Sequence, residues 1–287
     1  MPPRKPSPVG AHIVVGSGLV SGGLPYAEEI GAEAVQVFVS NPRGWASAAG
    51  DPARDEAFRR ACVQRRTPVF VHATYLVNFG SPTEATRLKS VESVRESLRR
   101  GRRLGARGVV FHAGSAVDLG DREQALGRLG GLLLPLLEEL TEEDPDLLVE
   151  LSVGGGAALA ATVQELGPFL AAVDGHPRLG VCLDTCHAFA AGHDLAAPGG
   201  VRRTLNTLRT TVGRGRLKLI HANDSLDPCG SGRDRHAGIG VGRIGTDPFA
   251  ELFRHPSTHG VPVIVETPGK REEHARDVAL LKALRAS

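Results

Sequence analysis

Six short apolar runs in this 287-residue chain end in a side chain able to bind a proton or a metal ion. "PVFVH" ends at His72, "GVVFH" at His112, "DLLVE" at Glu150, "LGVCLD" at Asp184, "LKLIH" at His221 and "VPVIVE" at Glu266. Three more such groups follow closely. His187 lies one helical turn past Asp184, and Asp234 and His236 flank an arginine in the glycine-rich "GSGRDRHAGIG". A single imidazole after a strand is ordinarily a hydrogen-bonded structural residue. Six strand ends in succession are different, because carboxylates gathered at one place repel unless cations neutralise them. Mixed carboxylate and imidazole donors suit Zn²⁺, with Mn²⁺ or Fe²⁺ as alternatives. Nine donors, one of them a carboxylate able to bridge, match three ions.

Such a gathering needs a fold that turns many strand ends the same way. Apolar runs recur along the chain: "HIVV" (12–15), "AVQVFV" (34–39) and the six already named. Their continuous apolar character is that of strands buried on both faces, as in a parallel sheet. Between them lie stretches whose apolar residues recur at three- and four-residue steps, such as "TEATRLKSVESVRESLRRGRRLG" and "REQALGRLGGLLLPLLEELTEE". Ser81 and Asp121 are candidate helix caps, and "REEHARDVALLKALRA" supplies a last helix. Eight strands alternating with helices predict an α/β fold, a (β/α)₈ TIM barrel in a single domain over 11–287, with its active site at the C-terminal ends of the strands. The Pro-rich residues 1–10 read as a disordered tail. An open doubly wound sheet is the competing architecture, but the GxG of "VVGSGLVSGG" lacks a third glycine and an acid ending the second strand. The segment after "LKLIH" is long enough to be a functional loop.

Composition narrows the setting. A 41% apolar content supports a real core, and a net charge of +2 neither requires nor excludes a polyanionic partner. The basic run "RESLRRGRRLGARG" reads as a solvated helix face. Four cysteines form no CxxC pair and no secretory leader is visible, which predicts reduced thiols and a cytoplasmic location. Cys182 is expected between barrel and helices, and the N/O donors make Cys186 unnecessary as a ligand. No apolar stretch approaches the ~18 residues of a membrane helix.

Two or three divalent ions in one bowl suit in-line displacement at phosphorus, with one metal acidifying the attacking water and others clamping the phosphate oxygens. Glu150 is the candidate bridging carboxylate that orients the attacking hydroxide. "NPRGW" and "ATYLVNFGSP" follow strands two and three on the same rim, and their Arg43, Tyr75 and Leu76 could enter a duplex groove and unstack bases. A sugar isomerase or epimerase on the same barrel is the alternative, although the trio His187, Asp234 and His236 exceeds what it needs. A non-cleaving, lesion-binding relative is a second alternative.

These residues carry a pattern. "GAHIVVGSGLVSGG", "VQVFVSNPRGW", "VHATYLVNFGSP", "FHAGS", "GVCLDTCHAFAAGHD", "HANDS", "GSGRDRHAGIGVGRIG" and "VIVETPG" run in order over nearly the whole chain, and the chain resembles the endonuclease IV family of apurinic/apyrimidinic (AP) endonucleases. The resemblance implies a trinuclear zinc centre. It implies cleavage of double-stranded DNA 5′ to abasic sites, leaving a 3′-hydroxyl and a 5′-deoxyribose phosphate, and trimming of blocked 3′ ends. It implies one zinc on His72 and His112, a second on Asp184, His221 and Glu266, Glu150 bridging the two, and a third on His187, Asp234 and His236. Arg43, Tyr75 and Leu76 match positions that penetrate DNA at the lesion. No obligate protein partner is evident, and a monomer is expected. The chain departs from the family pattern at "LSVGGGA" (151–157), at Leu226 where Lys is usual, and at His193 where Tyr is common.

Overall fold

The computed structural model describes residues 6–46, 49–153 and 157–287. Eight parallel strands close into a barrel: β1 (Val9–His12), β2 (Val35–Phe38), β3 (Val69–His72), β4 (Gly108–His112), β5 (Asp146–Glu150), β6 (Leu179–Asp184), β7 (Leu217–His221) and β10 (Val263–Val265), with β10 lying between β7 and β1. A two-stranded antiparallel ribbon, β8 (Asp224–Ser225) with β9 (His236–Ala237), occupies the long segment after β7. Helices α1 (Leu24–Glu29), α2 (Pro52–Arg65), α3 (Glu84–Leu104), α4 (Arg122–Glu138), α5 (Leu166–Ala171), α6 (Thr185–Ala190), α7 (Gly200–Val212), α8 (Asp247–Arg254) and α9 (Arg271–Ala286) follow the strands. The expected barrel is therefore present, and β4 to β7 keep the bounds read from the sequence.

Strand alternation explains the interior. One set of side chains, including Val71, Val109, Val149, Val181 and Val265, joins the main core between barrel and helices. The opposite set, Ala34, Phe70, Val110, Leu148, Cys182, Leu219 and Ile264, forms a separate apolar layer inside the barrel. Because successive side chains alternate faces, the residues two positions further on share that inward face: Gln36, His72, His112, Glu150, Asp184, His221 and Glu266. His12 stands in the same relation to Gly10. Every barrel strand thus contributes one polar side chain to a single layer above an apolar plug.

Two expectations change. Cys182 belongs to the inner plug and not to the barrel–helix interface, since it shares its face with Asp184 two residues on. The tail is also shorter than residues 1–10. Val9 and Gly10 pair with Val263 and Ile264 in β1, and Ser7 is buried with its hydroxyl donating to the Thr258 carbonyl at 2.7 Å. The prolines disguise this entry because they precede the strand instead of interrupting it. The first five residues of the expected tail lie outside the described residues.

The basic run falls on α3, where its arginines pair with acids on neighbouring elements. Arg100 Nε donates to buried Asp55 at 2.7 Å, Arg103 Nε lies 3.2 Å from the same carboxylate, and Arg102 reaches Glu143. Of the candidate caps, Asp121 stands before α4 without a side-chain cap bond, while Thr83 replaces Ser81 before α3.

The closure of β1 on β2 is tight at one point. A methyl group on Gly10 would lie 1.7 Å from the Ala34 carbonyl oxygen. Overpacking of this kind costs up to about 3 kcal/mol, so Gly10→Ala is expected to lower the free energy of urea unfolding by that order. A variant as stable as the parent would show that the strands do not approach so closely.

Candidate metal centre

The structure brings all nine sequence-predicted donors to the C-terminal mouth of the barrel. Among the described residues, three groups built of nitrogen and oxygen donors alone have ligand atoms within 4.8 Å of one another: His72, His112 and Glu150; Glu150, Asp184, His221 and Glu266; and His187, Asp234 and His236; two further groups include Cys182 or Cys186. Glu150, Asp184 and His221 have no solvent exposure, whereas the Asp234 side chain is 45% exposed. The centre is therefore graded, sealed at the barrel axis and open on the side of the β8–β9 ribbon.

Glu150 joins two of the groups. Its Oε2 lies 3.2 Å from His72 Nε2 and 3.4 Å from His112 Nε2, while its Oε1 lies 3.0 Å from His221 Nδ1. A carboxylate that turns one oxygen to each group can bridge two cations. Asp184 links the other pair. Its Oδ1 caps α6 by accepting the His187 N–H at 2.8 Å, and its Oδ2 faces His221 Nδ1 at 3.9 Å and His236 Nε2 at 3.7 Å.

The surroundings decide which imidazole nitrogen is offered. His72 Nδ1 donates to the Ala73 carbonyl at 2.7 Å, His187 Nδ1 to Leu151 at 2.8 Å and His236 Nδ1 to Glu266 at 3.1 Å. Each ring then presents the lone pair of Nε2 to the bowl, the arrangement that backbone carbonyls impose on metal-binding histidines. Buried His187 Nε2 and His236 Nε2 make no hydrogen bond. They lie only 3.3 and 3.0 Å from the Asp234 oxygens, but with unsuitable hydrogen-bond geometry. Two buried ring nitrogens facing one carboxylate fit a shared cation that takes the place of their protons.

Electrostatics point the same way. Burial alone would raise the Glu150 carboxyl, but His221 and His112 outweigh it and hold the group well below the ordinary carboxylate range. Glu266 is likewise held down against burial, by His221 and His12. Burial would lower His187 and His236, yet Asp184 and Asp234 push them up to about 10 and about 9. The buried thiols of Cys182 and Cys186 are each pushed up to about 12 by burial, so they remain protonated and are poor donors beside the carboxylates.

Supporting residues escaped the sequence reading. Gln36 and His12 touch Glu266, and Asn223 holds Asp184 Oδ2 at 2.6 Å through Nδ2 while accepting the Glu266 N–H at 2.8 Å. Buried Asp224 accepts N–H groups from Ser225, Gly240, Gly242, Ile244 and Gly245, which fastens the loop after β9 against the ribbon. The sequence signals were present: Gln36 is a lone polar residue inside "AVQVFV", and Asp224 precedes a run rich in glycine.

Tyr75 overhangs the bowl. Its ring stacks on His112 with centroids 5.7 Å apart and meets His72 edge-on at 5.6 Å. Burial pushes its phenol up to about 12. The Thr74 hydroxyl and the Tyr75 N–H both donate to the Pro42 carbonyl, at 2.7 and 2.9 Å, so exposed Arg43 shares a rim with Tyr75 and half-buried Leu76. Of the family departures, Leu226 is exposed on the ribbon, and His193 accepts the Val163 N–H at 3.1 Å. Gly154–Gly156 lie outside the described residues.

A cavity of about 460 Å³ above the donors is lined by Tyr75, His112, His187, Asp234, His236 and Glu266. A larger one, about 590 Å³, opens among Pro8, Glu33, Arg65 and Arg107. Those residues precede strands or end helices, so it lies at the opposite face, where such barrels do not place their chemistry.

Residues 24–285 match the family described as "Xylose isomerase-like TIM barrel". The chain is 59% identical to "Probable endonuclease 4" of Streptomyces avermitilis, over 97% of this chain and 90% of that protein. It is 58% identical to the protein of the same name from Streptomyces coelicolor, over 97% and 95%. Among solved structures it resembles endonuclease IV from Thermus thermophilus, with a TM-score of 0.83, 35% identity and 98% of each chain covered.

Metal ligands must be deprotonated, so a cation entering between His187 and His236 has to displace the protons these raised imidazoles carry at neutral pH. Adding zinc to chelator-stripped protein in weak buffer near pH 7 is expected to release protons, and apparent affinity should climb as pH rises toward about 9. Zinc uptake without proton release, or affinity that falls with rising pH, would contradict this electrostatic account.

Proposed function

The chain belongs to the endonuclease IV family, and from that premise we propose that it is a zinc-dependent endonuclease that hydrolyses double-stranded DNA 5′ to abasic sites. The products are a 3′-hydroxyl and a 5′-deoxyribose phosphate, and the same site trims blocked 3′ ends. The observation that carries the reading is the gathering of the nine donors into three groups, two sharing Glu150 and the third reached through Asp184. A sugar isomerase or epimerase has no use for the outer trio of His187, Asp234 and His236.

In this reading His72 and His112 would hold one zinc, Asp184, His221 and Glu266 a second, with Glu150 shared between them, and His187, Asp234 and His236 would hold the third. Bound zinc supplies Lewis acidity toward phosphate oxygens and brings the acidity of a water ligand close to neutral pH. The protein does the rest by position. Glu150, sealed and pulled from both sides, fixes the line along which water meets phosphorus. The outer trio, with Asp234 exposed, lines the open side, where a phosphate could approach and the leaving 3′ oxygen could be stabilised. Tyr75 and Leu76 wedge at the lesion, where a missing base lowers the cost of unstacking, and Arg43 neutralises backbone charge. The enzyme acts in the cytoplasm as a monomer. No helix among the described residues is long and apolar enough to cross a membrane.

The purified protein is expected to hold close to three zinc ions per chain and to nick a duplex carrying one abasic-site mimic on its 5′ side, with chelator abolishing the activity. Tight binding to that duplex without cleavage by fully loaded protein would favour a lesion-binding role instead. Glu150→Gln is expected to reduce incision by well over the ~100-fold that loss of a supporting partner costs. Tyr75→Ala should weaken binding to the abasic duplex by ~1–3 kcal/mol, the worth of one aromatic stacking contact, with zinc content unchanged. Wild-type turnover in the first variant, or parental affinity in the second, would remove those roles.

A further inference from the structure

His221 is oriented differently from His72, His187 and His236. The rings of His72, His187 and His236 each place Nδ1 on a backbone carbonyl and turn Nε2 inward. His221 turns Nδ1 inward, to 3.0 Å from Glu150 Oε1 and 3.1 Å from Glu266 Oε2. Its Nε2 lies 2.9 Å from Gln36 Oε1. The Gln36 amide has a second task, because its Nε2 donates to Glu266 Oε1 at 2.7 Å and lies 3.0 Å from His12 Nδ1. Gln36 and His221 have no solvent exposure.

These contacts fix the direction of the amide. Glu266 Oε1 can only accept, so the NH₂ end of Gln36 must face it, and the carbonyl end must face His221. That carbonyl demands a proton on His221 Nε2, which leaves the Nδ1 lone pair as the only one available to a cation. The bond to Glu266 Oε1 likewise occupies one carboxylate oxygen and leaves Oε2 beside His221 Nδ1. For the other three rings the orienting group is main chain and cannot be removed by substitution. For His221 it is a side chain from β2, a strand that supplies none of the nine donors.

We propose that Gln36 is a positioning residue for the inner metal, its single amide selecting Nδ1 of His221 and Oε2 of Glu266 as the ligating atoms. The proposal rests on the reading that Asp184, His221, Glu266 and Glu150 hold a cation. Partners of this kind are worth about 10–100-fold in metal affinity. The effect should be confined to one of the three ions, because Gln36 touches neither the His72–His112 pair nor the outer trio.

The test compares the parent with Gln36→Met, which matches the side chain in length without its hydrogen bonds, and Gln36→Glu, which keeps an acceptor for His221 but sets an oxygen against Glu266. Zinc affinities are measured by competition with a chromophoric chelator, and the visible spectrum is recorded after cobalt substitution. The parent should hold three ions tightly. Each variant should keep two and bind the third about 10–100-fold more weakly, with an altered cobalt spectrum and reduced kcat at unchanged KM for an abasic duplex. If Gln36→Met does not fold, the near-isosteric Gln36→Glu decides the matter. Three parental affinities and a parental cobalt spectrum in the folded variants would overturn the proposal while leaving the zinc reading intact. A parent that holds no tight zinc would overturn both.

Discussion

Two carboxylates, Glu150 and Asp184, are sealed from water within a few ångströms of one another's partners. Ionised carboxylates in such a place are tolerable only with compensating positive charge and full hydrogen bonding. The rest of the bowl can be understood as the answer to that constraint. Imidazoles surround each oxygen, Asn223 and a helix N-terminus occupy Asp184, and Gln36 and His12 occupy one oxygen of Glu266. With protons alone, the neighbouring carboxylates hold His187, His221 and His236 above the ordinary imidazole range. With divalent cations they can serve as neutral ligands, which is the chemistry this donor set favours.

The barrel meets the constraint through the simplest property of a strand. A step of two residues separates an apolar inner layer from a polar one above it, so one register supplies both the plug that excludes water and the donors that need its exclusion. The loops then add what strands cannot. α6 carries His187 from the capped end of β6. The ribbon after β7 carries Asp234 and His236, and five N–H groups converging on Asp224 hold the adjoining loop in place. Tyr75 is tied to the neighbouring loop through the Pro42 carbonyl and covers the bowl without closing it.

Much of this was legible in the sequence, because strands buried on both faces read as continuous apolar runs and a polar residue at the end of each is conspicuous. The bounds of β4 to β7 and the six strand-end donors follow from that contrast, whereas His187, Asp234 and His236 lie outside it. The allotment of donors to three ions came only from family resemblance, since distances between strand ends are not written in any local spacing. β1 was displaced because "VGAH" contains glycine and alanine, which carry little strand signal, whereas "HIVV" carries much. That shift hid His12, which ends the true strand instead of beginning it. Gln36 reads as one polar residue in an apolar run, although inward-facing parity with Ala34 marks it. The same parity with Asp184 places Cys182 inside the barrel and not against the helices.

Everything above depends on nine side chains between positions 72 and 266 sharing three cations at one mouth of the barrel. Anomalous diffraction on zinc-loaded crystals, collected on both sides of the zinc absorption edge, tests it most directly. Three zinc peaks are expected, two of them flanking Glu150 and one among His187, Asp234 and His236. Zinc peaks at other surfaces, or a bowl without any, would contradict it.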